Sequence, residues 1–543
     1  MWEQNYFPVG GSLSFSALVA AIPLLVLFYM LGVKRKPSWM AGLSALAAAA
    51  LLAVLVFRMP PVQAVAATLY GAAFGLFPIG WIVFTAILLY RMVVETGQFE
   101  VIKESVGALS GDRRLQALLI AFSFSAFIEG AAGFGTPVAV AAAMLAGLGF
   151  SPFYAAAICL VANTAPVAYG SIGIPITTLA QITGLPAPPL SAMTGRILSL
   201  ISVVVPIYLV VLMAGVKRTV AVWPAVLTCG VTFGAMQLLV SNFIGHELTN
   251  ILSSLTSIGA MVLLMKLWRP SETFRLPEDA PARGASKKHG AGEIWRAWTP
   301  YVLLVVFVLL WGYLPIKASL DKVTARIPVP ALHRTIVRIP PVTKAPEPYA
   351  AIYNFNWLGA SGTGCLLAVL VAALYLRVTP GRLASLYLAT FRQLALALLT
   401  IASVLGLAFL MNYAGMTSTL GLAFAATGAA FPFFSSMLGW LGVFLTGSDT
   451  SSNALFGNLQ VVTARAVGLS PVLTAATNAA GGVMGKMISL QSIAVAVAAT
   501  GMAAAEEGKL FRYTLRHSII LASLIGLIAL AYAYLFPGLV PAL

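Results

Sequence analysis

Two carboxylates and one lysine stand where ionised side chains are rarely tolerated. Of the sixteen acidic residues, all but Glu129 and Asp449 fall in loops, tails or at the ends of apolar runs. Among the basic residues, Lys486 alone lies deep within an apolar run, directly after Gly485. An ion at the bilayer midplane costs about 2.5–3.5 kcal/mol on insertion scales, so one retained there is a functional candidate. Lys486 offers a full positive charge to an anion, most simply a carboxylate. Glu129 and Asp449 are the predicted proton carriers, because a carboxylate withdrawn from water can hold a proton. The rival coupling ion is sodium, bound by unwound carbonyls with Asn and Ser side chains. His246, His289, His333 and His517 are expected in loops or at span ends and add nothing to this site. Cys159, Cys229 and Cys365 lie in apolar runs without paired spacing, so neither a disulfide framework nor a metal site is expected.

Asp449 sits in the Gly-rich break Gly447-Ser-Asp-Thr-Ser-Ser-Asn453, and Glu129 immediately precedes the break Gly130-Ala-Ala-Gly-Phe-Gly-Thr136. Gly130, Gly133, Gly135, Gly447 and Gly485 are predicted to bare backbone N–H groups. Helix N-termini after such breaks add partial positive charge. Asn163, Thr164, Tyr169, Ser171, Ser451, Asn453, Asn478 and Gln491 are the predicted substrate-binding side chains, with Ser448, Thr450 and Ser452 beside them. That set of hydroxyls and amides suits a hydroxylated anion better than a plain fatty acid.

The elements that must carry these residues follow from composition. The chain has 543 residues, 60% apolar and 9% charged. Soluble domains run near 25% charged, so a soluble enzyme, a disordered chain and a nucleic-acid binder are excluded. Apolar runs of about 20 residues span a bilayer, and they recur along the whole chain. The predicted fold is an all-α polytopic membrane protein of about twelve crossings plus two re-entrant hairpins. The net charge of +16 fits basic loops anchored at anionic lipid.

Two segments read alike and define the predicted units. Each has an apolar run, a Gly-rich break and a second run, and the next runs begin at Ser151-Pro152 and Ser470-Pro471. Those runs are broken again, so that Asn163 matches Asn478 and Gly170 matches Gly485. The expected organisation is a first span at 1–38 and a first repeat at 39–216, with a hairpin at 115–148 and a broken helix at 152–185. Linking helices follow at 217–316, with a cytoplasmic loop at 269–297, and an external Pro-rich basic loop at 317–355. A second repeat occupies 356–543, with a hairpin at 431–468 and a broken helix at 471–500.

Short basic loops mark the cytoplasmic side. Lys34, Arg35 and Lys36, then Arg91, Lys103, Arg113 and Arg114, Lys217 and Arg218, the loop bearing Arg269, Arg275, Arg283, Lys287, Lys288 and Arg296, then Arg377 and Arg382, and finally Lys509, Arg512 and Arg516 fit that rule. The repeats then have opposite orientations and both termini lie outside. Inverted repeats with discontinuous helices meeting at midplane are a recurring plan of secondary transporters. The bland reading of the glycines is close helix packing, which does not account for Asn, Thr, Ser, Asp and Pro at the same places. The loop at 317–355 is basic yet falls outside, as a folded cap or a funnel for anions. A passive anion channel is disfavoured by the inverted repeats. An intramembrane hydrolase using Gly170-Ser171-Ile172-Gly173 lacks a histidine base, leaving only a Ser–Lys pair with Lys486.

The blocks GAAFGLFPIGWIVFTAILLY (71–90), ETGQFEVIKESV (95–106), FIEGAAGFGTPVAVAAAML (127–145), ANTAPVAYGSIGIPI (162–176), FLTGSDTSSNALFGNLQ (444–460) and GKMISLQSIAVA (485–496) go further. With Met1-Trp2, Asn5-Tyr6 and Phe355-Asn356-Trp357, they make the chain resemble the bacterial lactate permease family along nearly its whole length. The resemblance implies proton-coupled import of L-lactate, and often D-lactate or glycolate, across the inner membrane. It implies no enzymatic role and no cofactor, and the family motifs place Glu129, Asn163, Asp449 and Lys486 as they stand here. Membrane lipid is an expected partner, nucleic acid is not, and a homo-oligomer stays open. The repeat plan also looks like that of a larger ion-transporter superfamily with an elevator motion, an analogy only.

Overall fold

Apolar runs without period-two alternation fold as helices, because only a helix meets its own backbone hydrogen bonds in lipid. The computed structural model describes residues 1–133, 135–276, 289–503 and 506–542. Phe134 of the first break, Glu278 and Asp279, and Arg283, Lys287 and Lys288 of the loop at 269–297 lie outside the described residues. The molecule is an all-α polytopic membrane protein. Among the described residues, eleven helices are long and apolar enough to cross a membrane, or up to thirteen if each bent pair is one span.

These helices differ in what they face. Only 28% of the apolar window in Ser38–Leu55 is buried by protein, whereas Arg113–Ala131 is buried throughout. The first presents apolar side chains to lipid, and the second is an interior element. Arg113–Ala131 is followed by a short break and Thr136–Gly147, and Phe431–Thr446 is followed by Asp449–Ala466. Two further helices are bent: Pro152–Ala162 with Val167–Thr183 by 66°, and Pro471–Ile488 with Leu490–Thr500 by 43°.

Each break has a local cause. Gly133, Gly135 and Gly447 take left-handed φ values of +63°, +80° and +71°, which a Cβ disfavours. Ser448 then caps its helix, its Oγ accepting from Ser451 N–H at 3.2 Å. Pro166 lies in the first bend, and Ser171, Ile172 and Gly173 follow with φ of +46°, +57° and +73°. Three successive left-handed residues, one of them β-branched, form a strained turn that local propensity would not select. Ser489 starts the helix after the second bend, its Oγ accepting from Ser492 N–H.

The stretch at 317–355 is folded. Ala325–Pro328 pairs antiparallel with Ile352–Phe355, and Ile336–Arg338 pairs antiparallel with Glu347–Pro348. The N-terminal strand Trp2–Glu3 adds in parallel, with Trp2 opposite Ile336. At the base of the first hairpin, Asp112 and Arg114 form a buried pair at 2.6 Å, and Asp112 also accepts from Phe274 N–H.

Candidate functional site

The four breaks converge on one cavity of about 170 Å³. Glu129 from the first hairpin and Val167, Gly170, Ser171, Ile174 and Pro175 from the first bend line it. Thr446 to Ser451 enter from the second hairpin tip, and Lys486 and Gln491 from the second bend. Ala397, Thr400 and Ile401 of the helix Pro380–Ala414, together with Ser38, complete the wall.

The three ions are nearly removed from solvent: Glu129 is 4% exposed, Asp449 3% and Lys486 7%. The Lys486 Nζ donates to the Gly447 carbonyl at 2.6 Å. Among the described residues it forms no ion pair with either carboxylate. An ammonium has three donors, so one fixed carbonyl leaves others for a ligand. Glu129 accepts from the Asn163 amide at 3.2 Å, and Asn163 in turn accepts from Ser125 Oγ at 3.2 Å. Asp449 Oδ2 accepts from Asn453 at 3.4 Å, while its Oδ1 has no hydrogen-bond partner among the described residues. Behind Asn453 runs a buried amide chain: Asn478 donates to Asn453 at 2.9 Å, and Gln460 donates to Asn478 at 3.0 Å. The two matched asparagines thus stand at different removes from the carboxylates. Asn163 touches Glu129 directly, and Asn478 reaches Asp449 through Asn453.

Of the sequence-predicted residues, Glu129, Ser171, Gly447, Asp449, Ser451, Lys486 and Gln491 meet at the cavity. Asn163, Asn453 and Asn478 stand behind it and orient the carboxylates. Ser171 Oγ donates to the Ala132 carbonyl at 3.0 Å and ties the bend to the hairpin. Two residues turn elsewhere. Thr164 donates to the Val161 carbonyl at 2.9 Å, and Tyr169 to the Ser191 carbonyl at 2.7 Å. Gly130 and Gly485 are packing positions, since a Cβ would come within 2.8 Å of Asn250 Cβ and 2.7 Å of Phe444 N respectively. His517 lies inside the helix Glu507–Tyr534 rather than at a span end, bonded to the Tyr208 hydroxyl at 2.5 Å. His246 is buried against Gly173, with Thr177 at 2.9 Å. Neither histidine lines the cavity.

Sequence reasoning missed Ser38, Ala397, Thr400 and Ile401. Thr400 bonds its own helix at the Leu396 carbonyl, as any threonine in an apolar helix would, so no local signal marked it. The arrangement as a whole brings one ammonium, neutral hydroxyls and amides, and two carboxylates together at one cavity.

Known proteins resemble the chain along nearly its entire length. Residues 16–536 match the family described as L-lactate permease. The chain is 46% identical to the L-lactate permease of Bacillus subtilis, covering 99% of this chain and 100% of that protein. It is 45% identical to the glycolate permease GlcA of Escherichia coli, covering 99% of each. It is 43% identical to the L-lactate permease of the same organism, over the full length of both. On this full-length similarity, the chain belongs to the L-lactate permease family.

Proposed function

We propose that this protein is a secondary active transporter that imports lactate, L or D, and related 2-hydroxy-monocarboxylates such as glycolate across the bacterial inner membrane by proton symport. One observation carries the reading: Lys486, Glu129 and Asp449 share a small cavity at the convergence of two hairpin tips and two bent helices. Relatives named for lactate and for glycolate support the substrate class. The substrate carboxylate pairs with Lys486. Ser448, Thr450 and Ser451 are within the same cavity to meet a 2-hydroxyl. Glu129 or Asp449 takes the proton. An anion together with one proton is electroneutral, so loading leaves the charge of the site unchanged. An anion bound alone would add a charge to a poorly solvated site, which opposes leak.

The units at 39–216 and 356–543 act as inverted repeats whose hairpins enter from opposite sides, with both termini outside. The pairing of Trp2 with Ile336 agrees with the N-terminus and the cap at 317–355 sharing one side. Irregular backbone at membrane depth is tolerated where it lines a cavity, which is where Gly447, Ser171 and Lys486 stand.

Uptake of labelled L-lactate into proteoliposomes with imposed pH or sodium gradients tests the proposal. A proton gradient alone should drive accumulation. Glu129→Gln or Asp449→Asn should keep lactate–lactate exchange and lose gradient-driven accumulation. Accumulation that follows sodium, or neither gradient, would overturn proton coupling. A wild-type protein carrying neither lactate nor glycolate would overturn the substrate assignment.

A further inference from the structure

A second cavity of about 350 Å³ adjoins the site. It shares Ser38, Thr446, Gly447 and Gln491 with the first, so the two lie side by side at the second hairpin tip. Its mouth carries Arg35 and Lys36. These residues follow the first span in a tight turn. Arg35 takes φ of +48°, Lys36 N–H bonds the Met30 carbonyl at 2.9 Å, and Pro37 precedes the next helix. Lys34 lies over the Tyr29 ring at 5.8 Å and does not line the cavity. The side chains of Arg35 and Lys36 are exposed and have no ion pair or hydrogen bond among the described residues. Among the described residues the acid lining this cavity is Glu507, at the start of the helix Glu507–Tyr534.

A topology signal explains why basic residues follow the first span. It does not explain why two of the three line a cavity beside the one that holds Lys486. Cavities lined by one sign of charge and low-dielectric walls concentrate the opposite ion. We propose that Arg35 and Lys36 form an anion-gathering vestibule through which a small carboxylate passes between the Lys486 cavity and the membrane face that carries the basic loops. The inference rests on the transporter reading above, and it makes this structure open toward the cytoplasmic side.

The test uses reconstituted protein of known orientation and labelled lactate at low ionic strength. In Arg35→Gln/Lys36→Gln, half-saturation measured from the basic-loop side should rise about threefold or more and lose its salt dependence. Half-saturation from the opposite side should not change. Arg35→Lys/Lys36→Arg should behave as wild type. Equal half-saturation in wild type and the double Gln variant would overturn the vestibule. Should that variant fail to insert, Ala494→Cys replaces it, in a chain whose Cys159, Cys229 and Cys365 are changed to Ala. Ala494 is exposed in the same cavity. An impermeant thiol reagent should label it from the basic-loop side, and lactate should slow the labelling. No labelling from that side, or none that lactate slows, would overturn the proposal. Failure of the transporter reading is distinct, because wild type would then carry no lactate before any variant is compared.

Discussion

At the scale of the residue, the proposed function rests on a lysine held by one carbonyl. Lys486 donates to Gly447 O and forms no ion pair among the described residues, so in the proposed mechanism its charge is available to an incoming anion. A hydrogen bond to a charged group contributes about 1.5–3 kcal/mol, which corresponds to about 10–150-fold in affinity. Lys486→Ala should weaken lactate binding to the purified protein by that factor, read by calorimetry. Lys486→Arg should restore it only in part, because a planar guanidinium does not replace a compact ammonium. Unchanged affinity in Lys486→Ala would remove the lysine from the site. Lys486, Glu129 and Asp449 were legible in sequence because an isolated ion in an apolar run has no bland explanation. Ala397, Thr400 and Ile401 were not, because small and apolar residues on a membrane helix look alike whether they face lipid, protein or ligand. Tyr169 was over-read for the opposite reason: a polar residue in a conspicuous block can serve a neighbouring helix, here through Ser191.

At the scale of the element, the glycines divide into those that turn the chain and those that admit a neighbour. Gly133, Gly135 and Gly447 turn it. Gly170 does something else, since its φ of −63° is open to any residue. A Cβ there would lie 2.6 Å from Glu129 Oε1, so the bare backbone of the first bend makes room for the carboxylate of the first hairpin. Gly170→Ala should therefore displace Glu129 and break its bond from Asn163. Overpacking costs about 1–3 kcal/mol, so the protein should still fold with a lowered melting temperature. Lactate uptake should fall about tenfold or more, as expected when a catalytically positioned group moves by an ångström or so. Full uptake in Gly170→Ala would show that the position of Glu129 does not matter. The sequence pattern located the bends through Pro and Gly. It did not reveal the left-handed turn at Ser171 and Ile172, because neither residue favours that conformation and tertiary packing imposes it.

At the scale of the whole molecule, the chain's beginning secures an element that walls the site. Gln4 is 1% exposed, and its amide donates to the Asn412 carbonyl at 2.9 Å and the Tyr413 carbonyl at 2.8 Å. These carbonyls end the helix Pro380–Ala414, whose middle supplies Thr400 and Ile401 to the cavity. Helix C-terminal carbonyls lack partners within their own helix; Gly415 N–H reaches the Asn412 carbonyl at 3.3 Å, and Gln4 supplies a donor to it and to Tyr413. Tyr6 braces it, its hydroxyl donating to Gln4 Oε1 at 3.0 Å, and Thr419 Oγ1 donates to the Tyr6 carbonyl. From Asn412 the link continues to Asn458 at 3.2 Å, on the helix that begins with Asp449. Nothing in the sequence joins Gln4 to Asn412, which lie 408 positions apart. The block at Met1-Trp2 and Asn5-Tyr6 was legible only as a likeness, and its physical purpose emerges from this contact. Gln4→Ala takes the Gln4 donor from the Tyr413 carbonyl and leaves the Asn412 carbonyl with Gly415 N–H, at about 1–3 kcal/mol for a buried group. The melting temperature should fall accordingly, while half-saturation for lactate should hold, since Gln4 does not line the cavity. Gln4→Glu should not rescue the loss, because a carboxylate facing two carbonyls has no donor unless it is protonated. Wild-type stability in Gln4→Ala would show that the helix end is held by other means, and a raised half-saturation with unchanged stability would place the N-terminus in the transport cycle instead.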